Sequence, residues 1–161
     1  MSRLQLCLVV NGRAEEAARF YAATFPDSAV GRIHPAAADF PGGSAGDPLV
    51  VEFTLLGQPC IALNAGPPTP FSDAISFQLL TDDQAETDRY WNAIVADGGQ
   101  PRDCGWCKDR FGLSWQVTPR ALMAGMADPD RAAAGRVMQA MMTMQKIDIA
   151  AIAAARSGAM Q

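Results

Sequence analysis

Few side chains in this sequence could do chemistry. His34 is the only histidine, and with Glu52 it forms the one pair that resembles a general acid and base. An imidazole changes charge near neutrality and can shuttle a proton when a carboxylate lies beside it. Cysteines stand at positions 7, 60, 104 and 107. Cys104-Gly-Trp-Cys107 has the spacing of a redox motif, but such motifs open a helix after a strand, where the helix dipole acidifies the first thiol. Here Lys-Asp-Arg-Phe-Gly and another strand pattern follow instead. A structural zinc site needs clustered ligands, whereas Cys7, Cys60 and His34 stand singly. Cys7 reads as a small hydrophobe in a buried strand. The stretch from Cys104 to Pro119 also holds Trp106 and Trp115, two large apolar side chains whose N–H groups need partners when buried. Such a hairpin forms the wall of a core or of a pocket.

The elements that position these residues follow from the pattern along the chain. Leu4 to Val10 reads as a mostly buried strand, and Asn11-Gly12 turns it. Ala14 to Phe25 reads as a helix with Glu15 and Glu16 in its first turn and Ala17, Phe20, Tyr21 and Thr24 at helical spacing. Ala29 to His34 is a strand, and a loop rich in Ala, Pro and Gly follows from Pro35 to Pro48. Leu49 to Leu56 and Pro59 to Asn64 flank a Gly57-Gln58 turn as a hairpin. The segment from Gly66 to Pro70 reads as a linker.

The second half starts over. Ala74 to Leu80 reads as a strand, Asp82-Asp83 as turn and cap, and Gln84 to Ala96 as a helix. A hairpin then turns at Asp109 to Gly112, and its second strand runs from Leu113 to Thr118. Glu16, Arg19, Phe20 and Tyr21 match Glu86, Arg89, Tyr90 and Trp91 at a constant offset of 70 residues. The shared order points to a duplicated β-α-β-β-β unit. The tail is helical: Asp128-Pro129 reads as an N-cap followed by proline at the first helical position, and Asp148 caps a last helix from Ile149 to Arg156. Val137, Met138, Met141, Met142 and Met144 form an adaptable apolar surface that packs on the sheet, crosses a dimer, or lines a groove.

Composition bounds the partners. The 161 residues are 49% apolar and 19% charged, with a net charge of −4, which suits one compact domain or two small repeats sharing a core. No basic cluster exists for nucleic acid. No apolar run approaches the roughly 20 residues of a membrane span, and the first ten residues lack a small-residue cleavage site, so a cytoplasmic protein is expected.

Ala14-Glu-Glu-Ala-Ala-Arg-Phe-Tyr21, Asp88-Arg-Tyr-Trp91, the Cys104–Pro119 stretch and Ala140-Met-Met-Thr-Met-Gln-Lys-Ile-Asp-Ile149 closely resemble the PhnB-like proteins. That family is labelled 3-demethylubiquinone-9 3-methyltransferase-like and belongs to the glyoxalase/bleomycin-resistance/dioxygenase (vicinal oxygen chelate) superfamily. The resemblance implies an α+β fold in which two β-α-β-β-β modules form a cupped mixed sheet, plus C-terminal helices. Residues 1–65 and 72–119 would be the modules of one domain. Residues 120–161 would be a helical extension packing on the domain or on a dimer partner, since members are usually homodimers.

The methyltransferase label finds no support in the residues, because the Gly-rich turn and following acidic strand end of an S-adenosylmethionine site are missing. The superfamily's metal ligands would fall at Gln5 or Cys7, Ala62 to Asn64, Ile75 or Ser76, and Gln116. Gln116, where the usual residue is Glu, is a neutral amide and a poor ligand for a divalent ion. No metal and no cofactor are therefore expected. In a pocket, Trp106 and Trp115 would supply aromatic walls, Lys108 a positive charge, and Gln116 and Ser76 neutral hydrogen bonds. Strand alternation puts Trp115 and Gln116 on opposite faces, with Gln116 inward. Otherwise both tryptophans are core and Lys108-Asp109-Arg110 is a solvated turn. Two readings follow: a metal-free small-molecule-binding protein, or a metal-dependent glyoxalase- or dioxygenase-like enzyme acting on a small oxygenated substrate, with Glu52 and His34 as its candidate catalytic residues.

Overall fold

The computed structural model describes residues 3–67 and 69–159, so Met1, Ser2, the linker residue Pro68, and Met160 and Gln161 of the expected helical extension lie outside the described residues. The first strand, β1 (Leu6–Val9), buries Leu8 on one face and leaves Cys7 exposed on the other. Cys7 is thus no core hydrophobe. The strand is short and alternates, so every second side chain faces away from the core. Helix α1 (Ala14–Thr24) buries Ala14, Ala17, Ala18 and Tyr21. The small alanines let the helix lie close to the sheet, where Tyr21 stacks on Phe53 with ring centroids 5.7 Å apart. Arg13 offers no side-chain cap to this helix. Asn64 supplies it from far along the chain: its Oδ1 accepts the Ala14 N–H at 3.1 Å, and its Nδ2 donates to the Pro48 carbonyl at 2.8 Å.

Strands β2 (Ala29–Pro35), β3 (Pro48–Leu55) and β4 (Gln58–Leu63) complete the first sheet, in the order β1-β4-β3-β2. β1 runs parallel to β4, and the other pairs are antiparallel. The β3–β4 turn is Leu56-Gly57, both at positive φ, one residue earlier than Gly57-Gln58. Two consecutive left-handed residues are what a two-residue hairpin loop needs to match strand twist.

The second unit repeats the plan. β5 (Phe77–Thr81), α2 (Gln84–Val95), β6 (Gln100–Pro101), β7 (Trp106–Lys108) and β8 (Ser114–Pro119) give the order β5-β8-β7-β6, again with the outer pair β5/β8 parallel. The expected β-α-β-β-β duplication and α+β class are thus present, each module having its own four-stranded mixed sheet. In α2, Asp83 caps the Glu86 N–H, and Tyr90 and Trp91, the partners of Phe20 and Tyr21 in the repeat, are buried. β5 starts at Phe77 rather than Ala74.

Three tail helices, α3 (Arg120–Met126), α4 (Arg131–Met141) and α5 (Ile149–Ser157), belong to this second unit. Asp130, not Asp128, caps α4: the Asp128 carboxylate is held by Arg156 at 2.6 Å and by the Asp130 N–H, which leaves Pro129 outside the helix. Asp148 caps α5 as its sequence position suggests. Leu122, Val137, Ile147 and Ile152 form a buried cluster that Met126, Met141 and Met144 pack against, while Met123, Met138 and Met142 stay exposed. Gln84 of α2 ties the tail down, accepting from the Ile149 N–H at 2.8 Å and donating to the Ile147 carbonyl at 3.1 Å. The chain divides into two compact units, Met1–Pro70 and Phe71–Gln161. Among the described residues no helix is long and apolar enough to cross a membrane.

Candidate functional site

The register of the second sheet decides which side chains meet. Trp115 pairs with Phe77 on β5 and Cys107 on β7, and directly paired residues share a face. That face also carries Thr81, whose hydroxyl meets Thr87 of α2 at 2.7 Å, so it is the side α2 covers. One residue along, Gln78, Gln116 and Trp106 form a row on the opposite face, with Ser114 and Lys108 in the neighbouring row. Ser76, just ahead of β5, accepts a hydrogen bond from Gln116 Nε2 at 2.8 Å. Gln116, Ser76, Lys108 and Trp106 are therefore brought together on the side away from α2. Trp115 is not among them: it is 1% exposed, packs edge-on against Phe77, and donates its indole N–H to Asp109 at 2.9 Å.

The charged hub of this face is a residue the sequence reading passed over. Asp73 accepts from Arg102 at 2.6 Å and from Ser114 at 2.7 Å, and Lys108 lies 3.1 Å from it. Arg102, then Ser114 and Lys108, hold its carboxyl well below the usual range. A cleft of about 610 Å³ opens beside the hub, lined by Asp73, Pro101, Arg102, Asp103, Trp106 and Gln145. Its rim is shaped locally: Arg102 N–H donates to the Trp106 carbonyl, Trp106 N–H to the Asp103 carbonyl, and Cys104-Gly105 turn with both residues at positive φ. A side chain at Gly105 would meet the Val117 carbonyl at 2.9 Å, which makes glycine obligatory there.

Asp109 is the other residue that the sequence hides. It is 2% exposed, and its carboxylate accepts from the Phe111 and Leu113 N–H groups and the Trp115 indole. The Lys-Asp-Arg triplet is thus no solvated turn at its centre. Cys107 is fully buried and its thiol is pushed up to about 12 by burial and by the charge of Asp109; burial likewise lifts Cys60 to about 11. All four cysteines are free thiols.

In the first unit, His34 and Glu52 sit on adjacent strands, with Nε2 and Oε1 2.7 Å apart and both side chains nearly half exposed. The β2–β3 register shifts between Val30 and Ile33, and a side chain at Gly31 would come within 3.2 Å of the Glu52 Cβ. This bulge opposite Glu52 lets the imidazole of His34, which pairs with Val50, reach back to the carboxylate. Glu52, Ile61 and Cys7 form one row across β3, β4 and β1, on the face away from α1.

The places where the superfamily would put metal ligands do not fit a divalent ion. Gln5 donates to the Cys60 carbonyl, its alternative Cys7 is a single thiol that partial burial pushes up, Ala62 is buried, and Asn64 is spent on capping α1. Ile75 is apolar and exposed, and Gln116 and Ser76 bond each other. These are neutral or apolar groups, where such ions take carboxylates and imidazoles. Among the described residues no group of three His, Cys, Asp or Glu side chains is placed to hold a metal.

Two β-α-β-β-β modules with a helical tail, and a polar face opposite the second sheet's helix, define a class of small α+β proteins. The chain belongs to the PhnB-like family, whose sequence model, described as 3-demethylubiquinone-9 3-methyltransferase, matches residues 2–118. A PhnB protein from Bacillus cereus, described as a candidate 3-demethylubiquinone-9 3-methyltransferase, is 25% identical. Its TM-score is 0.65, over 73% of this chain and 99% of that one. A protein from Pseudomonas aeruginosa is 22% identical, with a TM-score of 0.58 over 74% of this chain and 98% of that one, and shares the fold. No curated protein matches the chain.

Proposed function

We propose that this chain is a metal-free small-molecule-binding protein of the glyoxalase/bleomycin-resistance superfamily, with its ligand on the face of the second sheet away from α2. The observation that carries this reading is the convergence of Gln116, Ser76, Lys108 and Trp106 beside the Asp73 cleft. An aromatic wall with a few convergent polar groups is the usual form of such a site. The neutral groups at the superfamily's ligand positions support independence from metal. Transfer of a methyl group is not part of the reading, since neither strand-to-helix turn, Val10–Arg13 or Asp82-Asp83, is glycine-rich.

The two modules are read as one domain, and the protein as a cytoplasmic homodimer. Exposed Met123, Met138 and Met142 on the tail are apolar surface that a second copy would cover. A sedimentation mass near the 17.1 kDa of one chain at micromolar concentration would reject the dimer.

The test of binding has two parts. Elemental analysis of protein purified without chelator is expected to find no stoichiometric metal, and divalent ions are expected to leave the melting temperature unchanged. One equivalent of metal with a rise in melting temperature would overturn metal independence. Mass spectrometry of the denatured protein is expected to find a copurifying small molecule that is lost from Gln116→Ala and Trp106→Leu. A compound retained by both variants would place binding elsewhere.

A second reading, proton-transfer catalysis, is favoured by the 2.7 Å His34–Glu52 pair. A carboxylate on one ring nitrogen orients the imidazole and leaves Nδ1 as a base or acid toward a substrate.

A further inference from the structure

The cleft beside Asp73 has a charge balance that says more about its ligand. Asp73 is already engaged by Arg102, Lys108 and Ser114, so it holds the cations in place and has little left to offer a ligand. Arg102 gives Asp73 its Nη1, and a guanidinium fork has five N–H donors in all. Among the described residues, no hydrogen bond or ion pair reaches the Asp103 carboxylate, the Trp106 indole N–H or the Gln145 side chain. The cleft therefore presents the rest of a guanidinium, a carboxylate and an indole around one space.

We infer that this cleft takes an aromatic zwitterion of the α-amino-acid type: its carboxylate on Arg102, its ammonium on Asp103, and its ring on Trp106. The inference rests on the reading that the second unit binds a small molecule. Asp73 pairs with Arg102 and Lys108, and Asp103 adds a second carboxylate to the lining, so two carboxylates stand against two cations and the surroundings are neutral. A ligand that carries both charges keeps that balance. A lone anion competes with Asp73 for the same cations, and a lone cation leaves the guanidinium edge unmatched. Arg102 and Asp103 are consecutive in the lining, and the backbone bonds from Arg102 N–H to the Trp106 carbonyl and from Trp106 N–H to the Asp103 carbonyl hold both beside Trp106. That suits an ammonium and a carboxylate on one carbon. The indole offers a face for an aromatic ring, and a cleft of about 610 Å³ has room for a molecule of this size with water around it.

The test is a calorimetric titration of the full chain at neutral pH with L-phenylalanine, 3-phenylpropanoate, which lacks the ammonium, and 2-phenylethylamine, which lacks the carboxylate. Phenylalanine is expected to bind at least about tenfold more tightly than either analogue. Arg102→Gln should erase its advantage over phenylethylamine, and Asp103→Asn its advantage over phenylpropanoate. Trp106→Leu should weaken all three. Circular dichroism of each variant reports folding, and Asp103, on the surface, is the substitution that leaves the fold intact. An analogue that binds as tightly as phenylalanine overturns the zwitterion while small-molecule binding stands. Failure of all three at millimolar concentration also overturns it. The wider reading then falls only if the denatured protein also releases no copurifying compound that depends on Gln116 and Trp106.

Discussion

Replacing Asp109 by Asn changes one atom and should unfold a large part of the second unit's stability margin. The Oδ1 of Asp109 accepts from Phe111 N–H at 2.9 Å and Leu113 N–H at 3.1 Å, and its Oδ2 accepts from the Trp115 indole at 2.9 Å. An Asn amide can keep its oxygen toward the two backbone donors, but its NH₂ then faces the indole N–H, donor against donor. Trp115 is 1% exposed, so no water replaces the lost acceptor. A hydrogen bond to a charged group contributes about 1.5–3 kcal/mol, and a buried unsatisfied donor costs about 1–3 kcal/mol. The two overlap, and the expected loss is about 2–4 kcal/mol, against a typical domain stability of about 5–15 kcal/mol. Urea unfolding followed by tryptophan fluorescence measures it selectively, because Trp91, Trp106 and Trp115 all lie in the second unit. Trp115→Phe removes the donor, so Asp109→Asn should cost about 1–2 kcal/mol less in that background. A cost below about 1 kcal/mol, or strict additivity of the two changes, would refute the claim that this carboxylate secures the hairpin.

Other expectations follow from the same geometry. At pH 8 a thiol reagent should label exposed Cys7 and half-buried Cys104, while Cys60 and Cys107 react only on unfolding; peptide mapping by mass spectrometry checks this. Because their folded thiols are raised to about 11 and about 12, both stay protonated where unfolded thiols ionise. Their contribution to stability is therefore full below about pH 8.5 and declines above it, and a Cys60→Ala, Cys107→Ala double variant should show a shallower alkaline fall in urea midpoint. Asp73 is depressed, so its contribution is full above about pH 4 and is lost only as pH falls toward its folded value; the difference in urea midpoint between the parent chain and Asp73→Asn should hold constant from pH 7 down to about 4.5. Gly99→Ala would put a Cβ 2.2 Å from the Ile94 carbonyl and 2.8 Å from that of Lys108, at a cost of about 3 kcal/mol or more. Gly135→Ala, in α4 with open space around it, should instead stabilise by about 0.5–1 kcal/mol in the same urea assay.

The sequence by itself determined the elements, the repeat and the family. Alternation in the strands, the 3.6-residue spacing of Ala17, Phe20 and Tyr21 and their echo at Tyr90 and Trp91 are local signals, and local signals survive in one dimension. Alternation was also enough to put Trp115 and Gln116 on opposite faces. Where a cap or bond comes from a distant part of the chain, no local pattern could report it. Asn64 caps a helix 50 residues earlier, Arg156 takes Asp128 away from α4, and Asp73 reaches Arg102 and Ser114. Asp109 read as a surface turn because its partners, though near in sequence, converge only once the hairpin closes over Trp115. Only the tertiary structure decided that Trp115 is core, that Cys7 is exposed, and that Arg102, Asp103, Trp106 and Gln145 share a cleft. The physical reason is the same in each case. Which face a side chain takes follows from periodicity, but which side chains meet there depends on sheet register and on the packing of the tail.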